Sequence, residues 1–137
     1  MQGAFATYAA GTPNVLTKVQ GLRPGNNLAH YLVVDFDMHY DGAWTFEAGL
    51  DAGYGAGLFL DGVLVGKRTD NLWWSNNWSN SDVFTVNLNN LTAGAHTLEL
   101  YWAENCCNGP STLRLTDERT GITSVLSTDS VDAASIP

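Results

Sequence analysis

The sequence predicts an all-β fold, namely a single-domain antiparallel β-sandwich of jelly-roll type with about eight or nine strands. Apolar residues recur at every second position in several short segments, as they do in strands with one buried face. No long stretch of the 137 residues has the period of an amphipathic helix. Glycine, asparagine and proline separate the segments, and short strands with such turns are typical of sandwiches.

The alternation defines most strands in chain order. Apolar residues occupy every second position of 32–40 and of 44–50, where Trp44, Phe46 and Leu50 share a face. The same pattern returns at 84–88, 98–102 and 112–116, and weaker strands are expected at 5–9, 14–19 and 123–127. Each of these segments therefore has one face suited to the interior of a sandwich.

Residues 58–65, Leu-Phe-Leu-Asp-Gly-Val-Leu-Val, carry the strongest local signal. Asp61-Gly62 between two apolar runs predicts a two-residue hairpin with positive φ at both turn positions. Because both faces of the hairpin are apolar, we expect it to lie deep in the sheet packing.

The predicted sandwich covers residues 1–128, which is ample for a hydrophobic core. Residues 129–137 are expected to form a linker-like tail or a weak terminal strand. The start of the chain, Met1-Gln2-Gly3, lacks the basic and apolar regions of a secretory signal. We expect the chain to be a segment of a larger protein with flanking domains.

Composition narrows the function. The formal net charge of −8 argues against nucleic acid, which requires clustered basic residues, and against anionic membrane surfaces. No apolar run approaches the length of a transmembrane helix, so membrane insertion is not expected. Only 15% of the residues are charged, so asparagine, threonine, serine and glycine must supply much of the surface. This profile favours a secreted or cell-surface protein.

The only two cysteines, Cys106 and Cys107, are adjacent in a polar loop. Neighbouring Cα atoms are about 3.8 Å apart, whereas ordinary disulfides join Cα atoms roughly 4.4–6.8 Å apart. A Cys106–Cys107 disulfide would therefore be a strained, rigid ring that links no distant segments. In an oxidising compartment it would form a flat apolar plate, suited to the apolar face of a sugar. The alternative is a pair of free thiols.

A second loop, 70–80, contains Trp73, Trp74 and Trp78 among asparagines and serines. Tryptophan rings stack on the C–H faces of sugars, and amide side chains bond to hydroxyl groups as donors and acceptors. We expect Trp74 to plug the open end of the sandwich, and Trp73 and Trp78 to supply ring stacking. Asp51 opens a glycine-rich stretch and could bind hydroxyl groups or a metal ion, or simply belong to a flexible connection.

Several features follow one another in a fixed order: an aromatic strand at 44–46, the loop 50–53 with Asp51, the hairpin 58–65, the tryptophan loop, a turn at 93–96 and an aromatic strand at 98–102. This order, which covers about half the chain, resembles the protective-antigen-type lectin domain of bacterial toxins, glycosidases and adhesins and of yeast flocculins.

The resemblance implies a β-sandwich that binds carbohydrate, often with one calcium ion, on loops at one end. The family's calcium site uses two adjacent aspartates; here the first matches Asp51 and the second is replaced by Ala52. Calcium is therefore a candidate cofactor with Asp51 as its ligand only if Asp70, Asn105 or backbone carbonyls complete the coordination. The family's last binding loop corresponds to residues 104–110.

These observations together predict a non-enzymatic, lectin-like module of a secreted or cell-surface bacterial protein, with a mono- or oligosaccharide as partner. The expected ligand-binding residues are Asp51, Trp73, Asn76, Trp78, Asn105, Cys106, Cys107 and Asn108. The alternative is a structural or protein-interaction sandwich within a surface fibre. A hydrolase would need two carboxylates facing one cleft, and no nucleophile elbow or phosphate loop is present.

Overall fold

In a computed structural model, which describes residues 4–9, 12–21, 29–104 and 109–136, two antiparallel sheets form a β-sandwich. The prediction of an all-β sandwich is confirmed. The six-stranded sheet has the order β2-β1-β3-β10-β6-β7, formed by β1 (Ala4–Ala9), β2 (Thr12–Leu16), β3 (Ala29–Met38), β6 (Ala56–Leu60), β7 (Val63–Arg68) and β10 (Gly94–Ala103).

The second sheet has four strands in the order β12-β11-β4-β9, formed by β4 (Gly42–Gly49), β9 (Phe84–Leu91), β11 (Thr112–Asp117) and β12 (Ile122–Val125). A two-stranded ribbon joins β5 (Asp51–Ala52) to β8 (Leu72–Trp73) at one end. The described chain thus has twelve strands rather than eight or nine. The ribbon strands escape prediction because two residues cannot show an alternation.

The hydrophobic core lies between the two sheets and consists of the alternating residues that the sequence predicted. Trp44, Phe46 and Leu50 are at most 1% exposed, and Phe36 stacks on Trp44 with ring centroids 4.6 Å apart. Burial of each such side chain contributes roughly 1.5–3 kcal/mol to folding. Within the described ranges, no helix is long and apolar enough to cross a bilayer.

The hairpin between β6 and β7 has the predicted turn, because φ is 51° at Asp61 and 81° at Gly62. Its predicted position deep in the packing is wrong. Strand β7 is the edge of the six-stranded sheet, and Val63, Leu64 and Val65 are exposed by 64%, 46% and 38%. Apolar residues on both faces do not distinguish a central strand from an edge strand. The register shifts between Leu58 and Phe59, which pair with Gly66 and Leu64, so Val65 is an extra, bulged residue in β7.

The predicted linker-like tail or weak terminal strand is also wrong, because Thr128–Ser135 form a helix, α1. Ser127 caps it: its hydroxyl accepts a hydrogen bond from Ser130 N (3.0 Å), and the Ser130 hydroxyl accepts one from Ser127 N (2.8 Å). Such reciprocal capping compensates for the short length of the helix. Val131 and Ala134 are buried against the core, so the helix closes part of the sandwich.

A histidine ties the hairpin turn to the start of β10. The two ring nitrogens of His96 lie 2.6 Å from an Asp61 carboxylate oxygen and 2.6 Å from the Thr92 carbonyl. Since both neighbours are acceptors, the geometry suits the doubly protonated imidazolium. Burial lowers the pKa of His96, but the bonds to Thr92 and Asp61 outweigh it, and the pKa is raised.

We expect this pair to make the stability of the fold depend on pH. A raised pKa in the folded state gives stabilisation that is complete below the unfolded value of about 6.5 and is lost as pH rises through the folded pKa. Asp61→Asn keeps a residue that tolerates positive φ but removes the charge. The substitution should lower the free energy of unfolding by on the order of 1 kcal/mol at pH 6 and flatten its dependence on pH. Urea unfolding across neutral pH measures both effects. An unchanged pH profile would contradict this assignment.

Candidate functional site

Three loops meet at the end of the sandwich where β3 begins and β10 ends. We call this the loop pole, made of residues 50–55, 69–82, 104 and 109–111. The amide of Tyr54 donates to the carbonyl of Ala103 (3.1 Å), which fixes the first loop against the end of β10. The β5–β8 ribbon fixes the first loop to the second, with Asp51 paired to Trp73.

Asp51 joins all three loops. Its Oδ2 accepts a hydrogen bond from the amide of Gly109 (2.7 Å), and its own amide donates to the Ser111 hydroxyl (3.3 Å). The residue is only 9% exposed. A buried carboxylate needs such partners, because desolvation of an unpaired charge is costly. Residues 104–110, which contain Cys106 and Cys107, are called the cysteine loop. Asp51 therefore holds Gly109 of this loop in place beside Trp73.

Trp73 presents an exposed ring on this base. It is 43% exposed, and its amide donates to the Asp82 carboxylate (3.0 Å). A Cβ on Gly109 would lie 2.4 Å from Trp73 Cζ3 and 2.9 Å from Asp51 Oδ2. The backbone of Gly109 thus packs directly on the indole ring, and only glycine allows this approach. The ring is held at one edge while much of its surface stays open to solvent.

Trp74 fills the end of the sandwich, as predicted. It is 3% exposed, and its Nε1 donates to the carbonyl of Pro110 (3.0 Å). A Cβ on Gly49 would lie 2.3 Å from the indole, so the ring packs flat on the end of β4. The side-chain amide of Asn80 donates to the carbonyls of Trp73 and Trp74 (3.2 Å each). These contacts order the tryptophan loop.

The structure places Trp78 differently from Trp73. The Trp78 ring is tilted against Trp74, with centroids 4.6 Å apart, and the Arg114 guanidinium lies 4.1 Å from its centroid. Arg114 is itself paired with Glu47 (2.7 Å), on the outer face of the four-stranded sheet. Trp78 is therefore half-buried in a packed cation–π arrangement. Asn76 is exposed, with a φ of 55°, in the turn before it.

Four of the predicted ligand-binding residues, Asn105, Cys106, Cys107 and Asn108, lie outside the described residues, and so does the predicted disulfide. Of the rest, the structure brings together Asp51 and Trp73. Sequence reasoning missed the contributions of Gly109 and Asp82. Glycine directly after the cysteine loop was a usable signal for Gly109, because glycine often marks close backbone approach.

The described residues do not fit a family-type calcium site. Ala52, at the position of the second aspartate, is fully buried and carries no oxygen in its side chain. Asp51 Oδ2 is bonded to Gly109 N, and calcium takes 6–8 oxygen ligands. Among the residues that the structure describes, no three His, Cys, Asp or Glu side chains form a metal-binding group.

No protein-family model and no curated protein sequence matches this chain. Solved structures do match in fold. A PA14 sugar-binding domain from an RTX adhesin superposes with a TM-score of 0.59 at 10% identity, covering 94% of this chain and 97% of that one. The A domain of epithelial adhesin 6 from Candida glabrata, solved with Galb1-3GlcNAc, gives 0.53 at 11% identity, covering 87% and 52%.

An anti-sigma factor domain-containing protein from Clostridium clariflavum gives a TM-score of 0.64 at 18% identity. The match covers 94% of this chain and 46% of that one, so the chain spans about half the length of that protein. These comparisons show that the chain shares its β-sandwich fold with a PA14 sugar-binding domain, with an adhesin A domain and with part of an anti-sigma factor domain-containing protein.

We expect Gly109→Ala to disturb the loop pole. The added methyl group would overlap the Trp73 ring and approach Asp51 Oδ2, so the indole must shift. Such overpacking typically costs about 1–3 kcal/mol, measured by urea unfolding, and the tryptophan emission should shift. Gly57→Ala is the matched control, because a Cβ there meets its nearest atoms at 3.8 Å. Equal effects of the two substitutions would contradict the packing described.

Proposed function

We propose that this chain is a non-catalytic carbohydrate-binding module of the protective-antigen lectin type, from a secreted or cell-surface bacterial protein with further domains. The observation that carries the proposal is the exposed Trp73 ring, fixed at one edge by Gly109 beside Asp51. A rigid, half-open indole at a loop pole is suited to stack on a sugar ring at little entropic cost. The shared fold with sugar-binding and adhesin domains supports the same assignment.

In this proposal Trp73 stacks on the sugar, and Asp51 positions the cysteine loop over it. Asn76, Asn105 and Asn108 supply hydrogen bonds to hydroxyl groups, and a Cys106–Cys107 disulfide supplies a second apolar surface. Trp78 is left out of the proposed site, because its ring packs on Trp74 and under the Arg114 guanidinium. Its role is to brace the tryptophan loop against the four-stranded sheet.

Three aspartates of the loop pole give no support to a catalytic role. Asp51 bonds to the amide of Gly109, Asp82 to the amide of Trp73, and Asp70 to the Arg68 guanidinium. Each thus has a structural partner, whereas glycoside hydrolysis requires two carboxyl groups that face the same bond.

The second candidate is a protein-interaction domain of a surface fibre. The observation in its favour is the exposed apolar surface of Val63, Leu64 and Val65 on β7, at the edge of the six-stranded sheet. A contiguous exposed apolar surface can mark a contact with a neighbouring domain. In that case loss of these side chains, and not of Trp73, would abolish the function.

Trp73→Ala should lower affinity for the bound glycan by about tenfold, since an aromatic stack contributes roughly 0.5–1.5 kcal/mol beyond its area. A glycan array identifies the ligand, and calorimetry then compares the variants. Trp73→Phe should retain part of the affinity, and Ile122→Ala, at an exposed apolar residue of β12, should retain all of it. Because Asp51 Oδ2 already accepts the hydrogen bond of Gly109 N and the side chain of Ala52 carries no oxygen, we expect the affinity to be the same in EDTA. No glycan binding at all would favour the surface-fibre candidate.

Replacement of both cysteines by serine should leave the fold intact and weaken glycan binding. The reason is that a bond between adjacent residues constrains almost no loop, so its loss changes the unfolded chain little. Thermal unfolding and calorimetry measure the two effects. Native mass should rise by about two hydrogens on reduction if the disulfide is present. A large drop in thermal stability would instead give the pair a structural role.

A further inference from the structure

The outer face of the six-stranded sheet carries a row of side chains defined by strand register. Tyr101 of β10 lies opposite Tyr31 of β3 on one side and Gly57 of β6 on the other. Gly57 in turn lies opposite Lys67 of β7. Because Trp102, the neighbour of Tyr101, is buried inside the sandwich, alternation directs Tyr101 outward, where it is 44% exposed.

The Tyr101 ring is held by other aromatic side chains. It stacks on Tyr31 with ring centroids 4.5 Å apart, and it meets Phe59 edge to face at 5.6 Å. The Tyr31 hydroxyl donates to the Glu99 carboxylate. Burial and this bond raise the pKa of Tyr31, so the phenol remains a donor at neutral pH. Since Tyr31 covers one face of Tyr101, a ligand would approach the ring from the side of Gly57.

A depression of about 310 Å³ lies on that side. Its lining includes several small residues and both cations of β7, namely Ala29, Gly55, Gly57, Ala103, Lys67 and Arg68. A Cβ on Gly57 would come no closer than 3.8 Å to Leu64 or Phe59. The missing side chain at Gly57 therefore leaves room beside the Tyr101 ring, at a position where neighbouring strands carry large side chains.

Lys67 places a positive charge at the far side of this depression. Among the described residues, no carboxylate lies within ion-pair distance of its ammonium group, whereas the adjacent Arg68 is paired with Asp70 at 2.7 Å. Strands are spaced about 4.8 Å apart, so Lys67 and Tyr101 stand roughly 10 Å apart along the row, with Gly57 between them. In a chain with a net charge of −8, Lys67 supplies a positive charge that would attract an anionic ligand to this depression.

We propose that this depression binds an acidic sugar, a pyranose that bears a carboxylate. The C–H face of the sugar packs on Tyr101 above Gly57, and its carboxylate pairs with Lys67. Charge complementarity selects the acidic sugar, and the fixed Tyr101 ring selects a cyclic ligand with an apolar C–H face. This site uses none of the Asp51, Trp73 and Gly109 contacts, so it goes beyond the function proposed for the loop pole.

The test uses trigalacturonic acid and, as its uncharged match, the fully methyl-esterified trisaccharide. Calorimetry should show that the native chain binds the acid more tightly than the ester. Added salt should weaken the binding of the acid and leave that of the ester unchanged. Lys67→Gln should lower affinity for the acid by about tenfold and leave the ester unchanged. Lys18→Gln, at an exposed lysine outside the depression, is the matched control.

Tyr101→Ala should lower the affinity for both ligands by about tenfold. Gly57→Val should block the binding of both ligands while it keeps the Tyr101 ring in place. Trp73→Ala should leave both unchanged, which separates this site from the loop pole. Equal binding of acid and ester, or loss of binding in Trp73→Ala but not in Tyr101→Ala, would overturn the proposal. So would a proline-rich peptide that displaces the acid from the native chain, because the depression would then be a peptide groove.

Discussion

Ten consecutive residues of β3 pair with ten of β10, from Ala29 opposite Ala103 to Met38 opposite Gly94, and this ladder constrains most of the molecule. Its inner face supplies the core residues that pack on the four-stranded sheet. Its outer face sets Tyr31 beside Tyr101. At one end Ala103 accepts a hydrogen bond from Tyr54 of the loop pole, and the other end brings His96 to the hairpin turn. A single register thus determines both ends and both faces of the sheet, because a slip of one residue would reverse every side chain.

The loop pole shows how loops without regular structure become rigid enough to hold a ring. The buried Trp74 side chain anchors the tryptophan loop through its hydrogen bond to Pro110, and Asp51 anchors Gly109 through one hydrogen bond. Both anchors are buried, so water does not compete with them. The ring of Trp73 can therefore be exposed to solvent while the backbone around it is held in place. This arrangement makes the proposed sugar site dependent on residues that need not touch a sugar.

The parts of the structure that follow from local pattern were predictable from sequence. Alternation located the core positions such as Trp44 and Phe46, and Asp61-Gly62 identified its turn because few residues adopt positive φ. Position within the sheet was not predictable, since the exposed Val63–Val65 segment has the same composition as a buried strand. The helix α1 was missed because its cap uses serine rather than glutamate at the third position, and its apolar stripe is only Val131 and Ala134.

The candidate site was predictable in its residue types but not in its geometry. Clustered tryptophans and the position of Asp51 indicated two loops that the structure brings together. However, the contact between Asp51 and Gly109 joins residues 58 apart, and the roles of Trp73 and Trp78 diverge because Arg114 approaches only one of them. Such long-range contacts leave no periodic signal. The depression beside Tyr101 likewise depends on a register between four strands, which no single segment encodes.

The bulge at Val65 bears on how readily this sheet edge could pair with a strand of another copy. An edge strand with exposed valines offers unpaired amides and carbonyls as a template for another chain. Val65, the extra residue of the bulge, increases the twist of the β6–β7 pair and breaks the regular spacing of those groups. Lys67 and Arg68 then end the strand with two positive charges. Fibril-like strand stacking is thereby discouraged by backbone shape first and by charge second, so the apolar side chains of β7 can stay at the surface.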